Sequence, residues 1–351
     1  MQKKIIALAV AAAFSAPAFA DVTANGIVDA AIISATGSGQ KSDMIAISGG
    51  LSTSRLSVTA TEGLDNGWTA IGAIEYGIDT QDNGSTLTAR KKMLAVAGDF
   101  GTVATGYLQT TGYDMAVKFD PTAGSAVSPL QNVTKGGVFV MGTVAEGARG
   151  ERAVAYISPK IADSVTVAVN YSTSLITALG GNNLGNLTGT ADTKHTAFLA
   201  SVNYDQGPLA VGGAYATVTA AGTEAAKEYM FGASYDLGMA KLSGTYQSRA
   251  WNGGDTDKAY SFSAVAPVGA GAVVASFAGT KMQTASTNGT SLTLAYLQNL
   301  SKTVTGYAAY SSVSQDAGTN AYSVANGALV AGTLNTGGSS SLVAVGLRKK
   351  F

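Results

Sequence analysis

Ser164-Val165-Thr166-Val167-Ala168-Val169-Asn170-Tyr171-Ser172 alternates with a period of two. Successive side chains of a strand point to opposite faces, so Val165, Val167, Val169 and Tyr171 fall on one side and Thr166, Ala168, Asn170 and Ser172 on the other. Ala240 to Gln247 repeats the pattern, with Ala240, Leu242, Gly244 and Tyr246 opposing Lys241, Ser243, Thr245 and Gln247. The polar side is built from small hydroxyl and amide groups, which suits a crowded wet interior. A sheet of such strands is either a soluble sandwich or a barrel in a membrane.

Working outward, seven short turn signals punctuate the chain: Gly63-Leu64-Asp65-Asn66-Gly67, Gly98-Asp99-Phe100-Gly101, Ser158-Pro159-Lys160, Asp205-Gln206-Gly207-Pro208, Asp236-Leu237-Gly238, Pro267-Val268-Gly269 and Asn299-Leu300-Ser301-Lys302. Gly, Pro, Asn and Asp gather there because tight turns need a positive or a preset φ. Reading outward from each turn predicts about sixteen strands, from 22–34 to 341–351. An even count is what closure of a single-chain bacterial barrel requires. The tight turns alternate with longer polar segments, such as Thr177 to Thr193 and Ser314 to Ser340. Short turns at one end and long loops at the other are the two ends of an outer-membrane barrel. Phe100, Tyr204, Tyr235 and Phe351 sit beside tight turns or the terminus, where amphipathic rings favour a membrane interface.

Composition separates barrel from sandwich. Only 13% of residues are charged and 44 are glycine, whereas a soluble domain carries about a quarter charged residues. The missing charge implies that much of the surface faces lipid. Residues 1–20 read as an export signal that is cleaved: Lys3 and Lys4, the apolar run Ile5 to Phe14, then Ala18-Phe19-Ala20 before Asp21. The expected mature chain, 21–351, is then one outer-membrane barrel, with 20 basic against 22 acidic residues once Lys3 and Lys4 are removed from the 22. That balance offers no basic patch for nucleic acid. The absence of cysteine rules out a disulfide-stapled scaffold. With no cysteine and one histidine, His195, neither a metal centre nor a cofactor is expected.

One interval breaks the rhythm. Gly101 and Pro159 lie about 60 residues apart, and the excess forms a segment from about Thr110 to Ala148 that contains Asp114, Asp120, Lys135 and Glu146. Long segments without strand pattern are usually functional or disordered.

Several motifs together resemble the general trimeric porins of the Gram-negative outer membrane, in particular a branch like that of the β-proteobacteria. Ser54-Arg55-Leu56 followed by Thr61-Glu62-Gly63-Leu64-Asp65-Asn66-Gly67 is similar to that family's second strand and turn. Gly98-Asp99-Phe100-Gly101-Thr102-Val103 looks like its second periplasmic turn, Tyr156-Ile157-Ser158-Pro159 like a strand end, and Val345-Gly346-Leu347-Arg348-Lys349-Lys350-Phe351 like its closing strand. The resemblance implies a homotrimer of all-β, sixteen-stranded antiparallel barrels whose third extracellular loop folds inward. It also implies contacts with outer-membrane lipids and lipopolysaccharide, and passive diffusion of small hydrophilic solutes and ions.

By the same resemblance Arg55, Arg90 and Arg149 match the basic wall of the constriction. Tyr113-Asp114-Met115-Ala116-Val117-Lys118-Phe119-Asp120 matches the start of the inward loop, which makes Asp120 a constriction acid, with Asp114 and Glu146 beside it. Two departures lower the charge there: Gly106-Tyr107 stands where the family has Gly-Arg, and Pro121-Thr122-Ala123-Gly124 carries no Glu. Nearly balanced charges predict weak ion selectivity, and Asp29 is a further acid on the inward parity of the first strand.

Parity supports Arg55 independently. It shares a face with Ser57, Thr59 and Thr61, opposite Leu56, Val58 and Ala60, and an arginine facing the bilayer midplane costs roughly 2–4 kcal/mol. The run Arg90-Lys91-Lys92 must place charge on both faces, so one of the three is expected to snorkel at the interface. Of the rivals, a barrel enzyme would need a positioned base, and His195 at a strand start reads as a solvated loop residue. A channel specific for one solute, or a sheath around a partner protein, shares every feature given so far.

Overall fold

The computed structural model describes residues 21–37, 40–41, 44–83, 87–134, 149–174, 195–220, 223–251, 254, 256–283, 287–316, 322–324 and 338–351. Residues 1–20, Lys135 and Glu146 lie outside them. Alternation becomes structure almost everywhere it occurs, in eighteen described strands. The first nine are β1 (Asp21–Gly37), β2 (Gln40–Lys41), β3 (Ile45–Ser48), β4 (Arg55–Gly63), β5 (Thr69–Gly77), β6 (Thr88–Gly98), β7 (Gly101–Gln109), β8 (Arg149–Ile157) and β9 (Val165–Ser174). The rest are β10 (His195–Gln206), β11 (Leu209–Ala220), β12 (Thr223–Asp236), β13 (Lys241–Trp251), β14 (Thr256–Val268), β15 (Gly271–Met282), β16 (Thr287–Asn299), β17 (Val304–Gln315) and β18 (Ser339–Lys350). Between β7 and β8 lie two helices, α1 (Thr111–Phe119) and α2 (Pro129–Thr134).

From β4 onward each strand pairs antiparallel with its sequence neighbour, and the circuit closes where β1 meets β18, from Ile27 opposite Lys350 to Gly37 opposite Ser340. The other edge of β1 pairs in turn with β4, β3 and β2, which are pieces of one interrupted wall strand. Eighteen segments therefore make a closed sixteen-stranded barrel. Closure leaves no open sheet edge among the described strands, which is what hydrocarbon demands of backbone polar groups.

The turns follow their chemistry. Gly67, Gly101, Gly207, Gly238 and Gly269 all adopt positive φ, a conformation that costs glycine nothing. The Ser158-Pro159-Lys160 turn has no such glycine, and Ala162 and Asp163 take the positive φ in its place.

Parity sorts the side chains as the sequence predicts. Phe231, Leu242, Phe262, Leu294, Val343 and Val345 are exposed, while Met230, Thr245, Ser261, Ser263, Thr293, Leu342 and Ala344 on the other parity are buried. An exposed apolar belt around a closed barrel is the surface a bilayer solvates. Among the described residues no helix is long and apolar enough to cross a membrane. At the short-turn end Trp68 and Phe100 meet edge to face at 5.1 Å, and the Tyr156 hydroxyl donates to the Phe100 carbonyl at 2.8 Å.

Two devices secure the seam. Phe351 and Gly26 exchange backbone hydrogen bonds of 3.1 and 3.0 Å, and the Phe351 ring occupies the space a side chain at residue 26 would need. Asp29, fully buried on β1, accepts from the Tyr307 hydroxyl at 2.6 Å and from the Leu51 and Ser52 amides at 3.1 and 3.0 Å. It thereby satisfies backbone donors in the gap between β3 and β4, where no neighbouring strand can. Asp29 serves the wall's own construction. A hydrogen bond to a charged group contributes about 1.5–3 kcal/mol, so Tyr307→Phe is expected to destabilise the barrel by about that much. A lowered temperature for the folded-to-unfolded band shift on gels checks it, and an unchanged temperature contradicts this account.

Candidate functional site

The site is built from β4 to β8 and the helical segment that follows β7. Glu75 on β5 sits directly across from Ser57 on β4, whose hydroxyl donates to Glu75 Oε2 at 2.7 Å. Arg90 Nε donates to Glu75 Oε1 at 2.7 Å, and Arg55 Nε lies 3.7 Å from Oε2. One carboxylate thus holds two guanidinium groups side by side, and Arg55 Nη1 also donates to the Thr53 carbonyl at 3.1 Å. Charge-assisted bonds of this kind are short and roughly twice as strong as neutral ones.

A β-bulge explains the Arg90-Lys91-Lys92 run. The register between β5 and β6 shifts at Glu75 and Tyr76, so Glu75 faces Lys91, Tyr76 faces Ala89, and Arg90 is the extra residue. Such a bulge re-aims a side chain. Arg90 turns toward Glu75 and is only 8% exposed, whereas exposed Lys92 falls opposite Ile74, on the apolar parity, with its ammonium 5.9 Å from the Tyr76 ring centre. Lys92 is the residue of the run that stands on the membrane side.

Arg149 opens β8 opposite Gln109, the last residue of β7. Its guanidinium stacks over the Tyr113 ring at 5.1 Å, and its Nε and Nη2 are buried without a hydrogen-bond partner among the described residues. Gln109 in turn donates to Asp114 Oδ1 at 2.5 Å. Arg149, Gln109, Tyr113 and Asp114 therefore form one neighbourhood at the root of α1.

Thr110 caps α1, accepting from the Tyr113 amide at 3.3 Å, and the helix buries Thr111, Gly112, Met115, Ala116 and Phe119 along one stripe. That stripe seats on β9 to β13. Met115 and Phe119 lie against Gly212 and Gly232, on the parity of buried Met230 rather than that of exposed Phe231. Polar ties reinforce the seat: the Thr111 amide donates to Asn170 Oδ1 at 2.8 Å, the Thr111 and Ser201 hydroxyls bond, and Lys118 Nζ reaches Asp205 at 2.6 Å. Helix α2 packs Leu130 and Val133 into a cluster with Ile33, Met282, Val313 and Leu342. Asn132 bridges from it to the Ser291 and Ser311 hydroxyls at 3.2 and 3.1 Å.

Asp120, expected among the acids facing the basic wall, follows α1 and is 3% exposed. Its carboxylate accepts from the Thr122 amide and hydroxyl at 2.8 and 2.6 Å and from the Ser128 hydroxyl at 3.1 Å. Burial pushes its pKa up, and these hydrogen bonds pull against that. Its partners are all within the segment itself. The carboxylate that meets Arg55 and Arg90 is Glu75, which the motif comparison passes over. A lone acid in mid-strand on the polar parity was the available signal. Glu146 lies outside the described residues, and of His195 only the backbone pairing with Ala220 is described.

A closed barrel with an apolar exterior and a polar, arginine-bearing interior defines an outer-membrane diffusion channel. The chain belongs to the Gram-negative porin family, whose model matches residues 7–318. Among solved structures it is similar to an anion-selective porin from Comamonas acidovorans, at 24% identity and a TM-score of 0.77 over 95% of this chain and all of the other. It is also similar to OmpT, an outer membrane protein of Vibrio cholerae in its trimer form, at 16% identity and a TM-score of 0.67 over 95% and 99% of the two chains. A triple mutant of the Rhodopseudomonas blastica porin matches at 14% identity and a TM-score of 0.61 over 94% and 100%. No curated protein matches. The family and the fold point to a passive channel rather than an enzyme.

The carboxylate geometry separates two substitutions. Glu75→Gln removes the negative charge between Arg55 and Arg90, so the zero-current potential of a salt gradient should move toward that of an anion-selective pore. Asp120→Ala should leave that potential in place while loosening the segment by about 1–3 kcal/mol, seen as faster proteolysis after α1. A reversed ranking of the two on the zero-current potential contradicts these assignments.

Proposed function

We propose that this porin is an anion-preferring diffusion channel in which the segment from Thr110 to Thr134 folds into the lumen and narrows it. Support for the inward position comes from Met115, Phe119, Leu130 and Val133, which pack on the parity opposite the exposed apolar belt. The observation that carries the ion preference is the pairing of two arginines with the single carboxylate of Glu75. Arg149 adds a third positive charge, and Arg348 lies across β1 and β18 from buried Asp29. Asp120 is turned into its own segment and contributes little to the field. The basic side thus outweighs the acidic one, where nearly balanced charges were expected from the sequence.

Charged side chains around a constriction set which ions pass. Arg55, Arg90 and Arg149 lower the energy of a small anion in the narrow zone, and Asp114, exposed on α1 in the neighbourhood of Arg149, offsets only part of that charge. Passage needs no energy source. The similar porin from Comamonas acidovorans is anion-selective.

Residues 1–20 are an export signal, and 21–351 form one barrel in the outer membrane. The assembly is a homotrimer, as the trimer form of the Vibrio protein suggests by likeness. Its exterior meets lipid and lipopolysaccharide, and its lumen admits small hydrophilic solutes and ions.

Planar-bilayer recording tests this directly. Purified protein should conduct in groups of three equal steps, with a zero-current potential of the anion-preferring sign, and Arg55→Gln with Arg90→Gln should move that potential toward cations. Cation preference in the parent sinks the selectivity reading, and the absence of any conductance from folded protein sinks the channel itself.

A further inference from the structure

We infer that Gly212 and Gly232 set the calibre of the channel by acting as sockets for α1. The inference rests on the inward position of that helix and adds which wall residues decide how far it projects. A methyl group built at Gly232 would overlap the Phe119 ring at Cδ2, Cε2 and Cγ, so the ring lies flat against bare backbone. A methyl group at Gly212 would come within 2.6 Å of Asn203 Oδ1 and 2.9 Å of Met115 Sδ. The two glycines stand opposite each other on adjacent strands, Gly212 on β11 and Gly232 on β12. Met115 and Phe119 are one helical turn apart on the buried stripe of α1. Two knobs at helical spacing therefore enter two adjacent gaps in the wall.

No backbone conformation demands glycine at these positions, because neither has a positive φ. A glycine in mid-strand weakens a sheet, and one of its established uses is a close approach by another group. Here that approach is the helix. The opposite face of α1 carries exposed Asp114 and Val117, so any outward push on the buried stripe moves those two residues further into the lumen.

The sockets differ in tolerance. Met115 is long and adaptable, so it can swing away from a small side chain at 212. The Phe119 ring is rigid and meets residue 232 near its root, so the helix itself must move. The Lys118 to Asp205 ion pair and the Thr111 to Asn170 bond hold α1 at its two ends, which directs the displacement toward the lumen rather than along the wall.

Single-channel conductance of the full-length folded protein reads the outcome. Gly232→Val should give a smaller step than the parent, and adding Phe119→Ala should restore it. Gly212→Ala should give a lesser loss. Gly213→Ala is the control, since a methyl group there would meet Phe231 at 3.6 Å and the Met230 carbonyl at 3.9 Å, both ordinary contacts, and its step should equal the parent's. If Gly232→Val fails to fold, Gly232→Ala with and without Phe119→Ala supplies the same comparison. A parental step in the folded Gly232 variant overturns the inference, as does a reduced step that Phe119→Ala leaves unchanged. The inward position has its own test, because the chain has no cysteine. A bulky charged thiol reagent on Val117→Cys should reduce conductance. Reduction there with a parental Gly232→Val step removes the socket inference alone, whereas no reduction removes the inward position together with it.

Discussion

In hydrocarbon an unpaired backbone N–H or C=O has no water to turn to, and each one costs several kcal/mol. A sheet can meet that condition only by closing, and here the closing contact is the ladder between β1 and β18. The residues beside this ladder keep it intact. Gly26 makes room for the Phe351 ring at its end, and Asp29 supplies acceptors where the strand on the other side of β1 is interrupted. With the wall complete, the interior is free to be polar, and arginines can stand there without facing lipid.

The strands also differ in what they offer to the segment between β7 and β8. Strands β14 to β18, with β1, present Ile33, Met282, Val313 and Leu342, an apolar surface that takes α2. Strands β9 to β13 offer glycines and hydroxyls, which seat α1 by shape and by polar ties. Strands β4 to β8 carry the arginines and Glu75. The three arcs hold α2, hold α1 and supply charge, in that order around the wall.

Much of this architecture was readable beforehand, because period-two alternation and turn chemistry are local properties. The strands from β4 onward fall within a few residues of where the alternation puts them, and the turn glycines have the φ values that tight turns require. The interrupted partner of β1 was less visible, since β2 and β3 are too short to show a period. The site was legible in part. Arg55 could be placed by parity alone. Arg90 could not, because a bulge resets parity and its position depends on the neighbouring strand. Glu75 was passed over because its own strand offers only a lone acid on the polar parity, while the two arginines that meet it stand on the strands to either side. At Asp120 the motif position marks an acid, but its partners are Thr122 and Ser128, which adopt their places only when the segment folds.

The seam also dictates a schedule. Thr36 meets Ser341 across 305 positions of sequence, so β1 cannot be satisfied until β18 has arrived. Contacts this distant are slow to form because the intervening loop must close first. A hairpin-by-hairpin assembly would leave both terminal strands with bare edges, and bare edges invite pairing with other chains. Time spent open is therefore the most hazardous stage in the life of this protein, and the burden of avoiding aggregation falls on whatever environment holds the chain between export and closure.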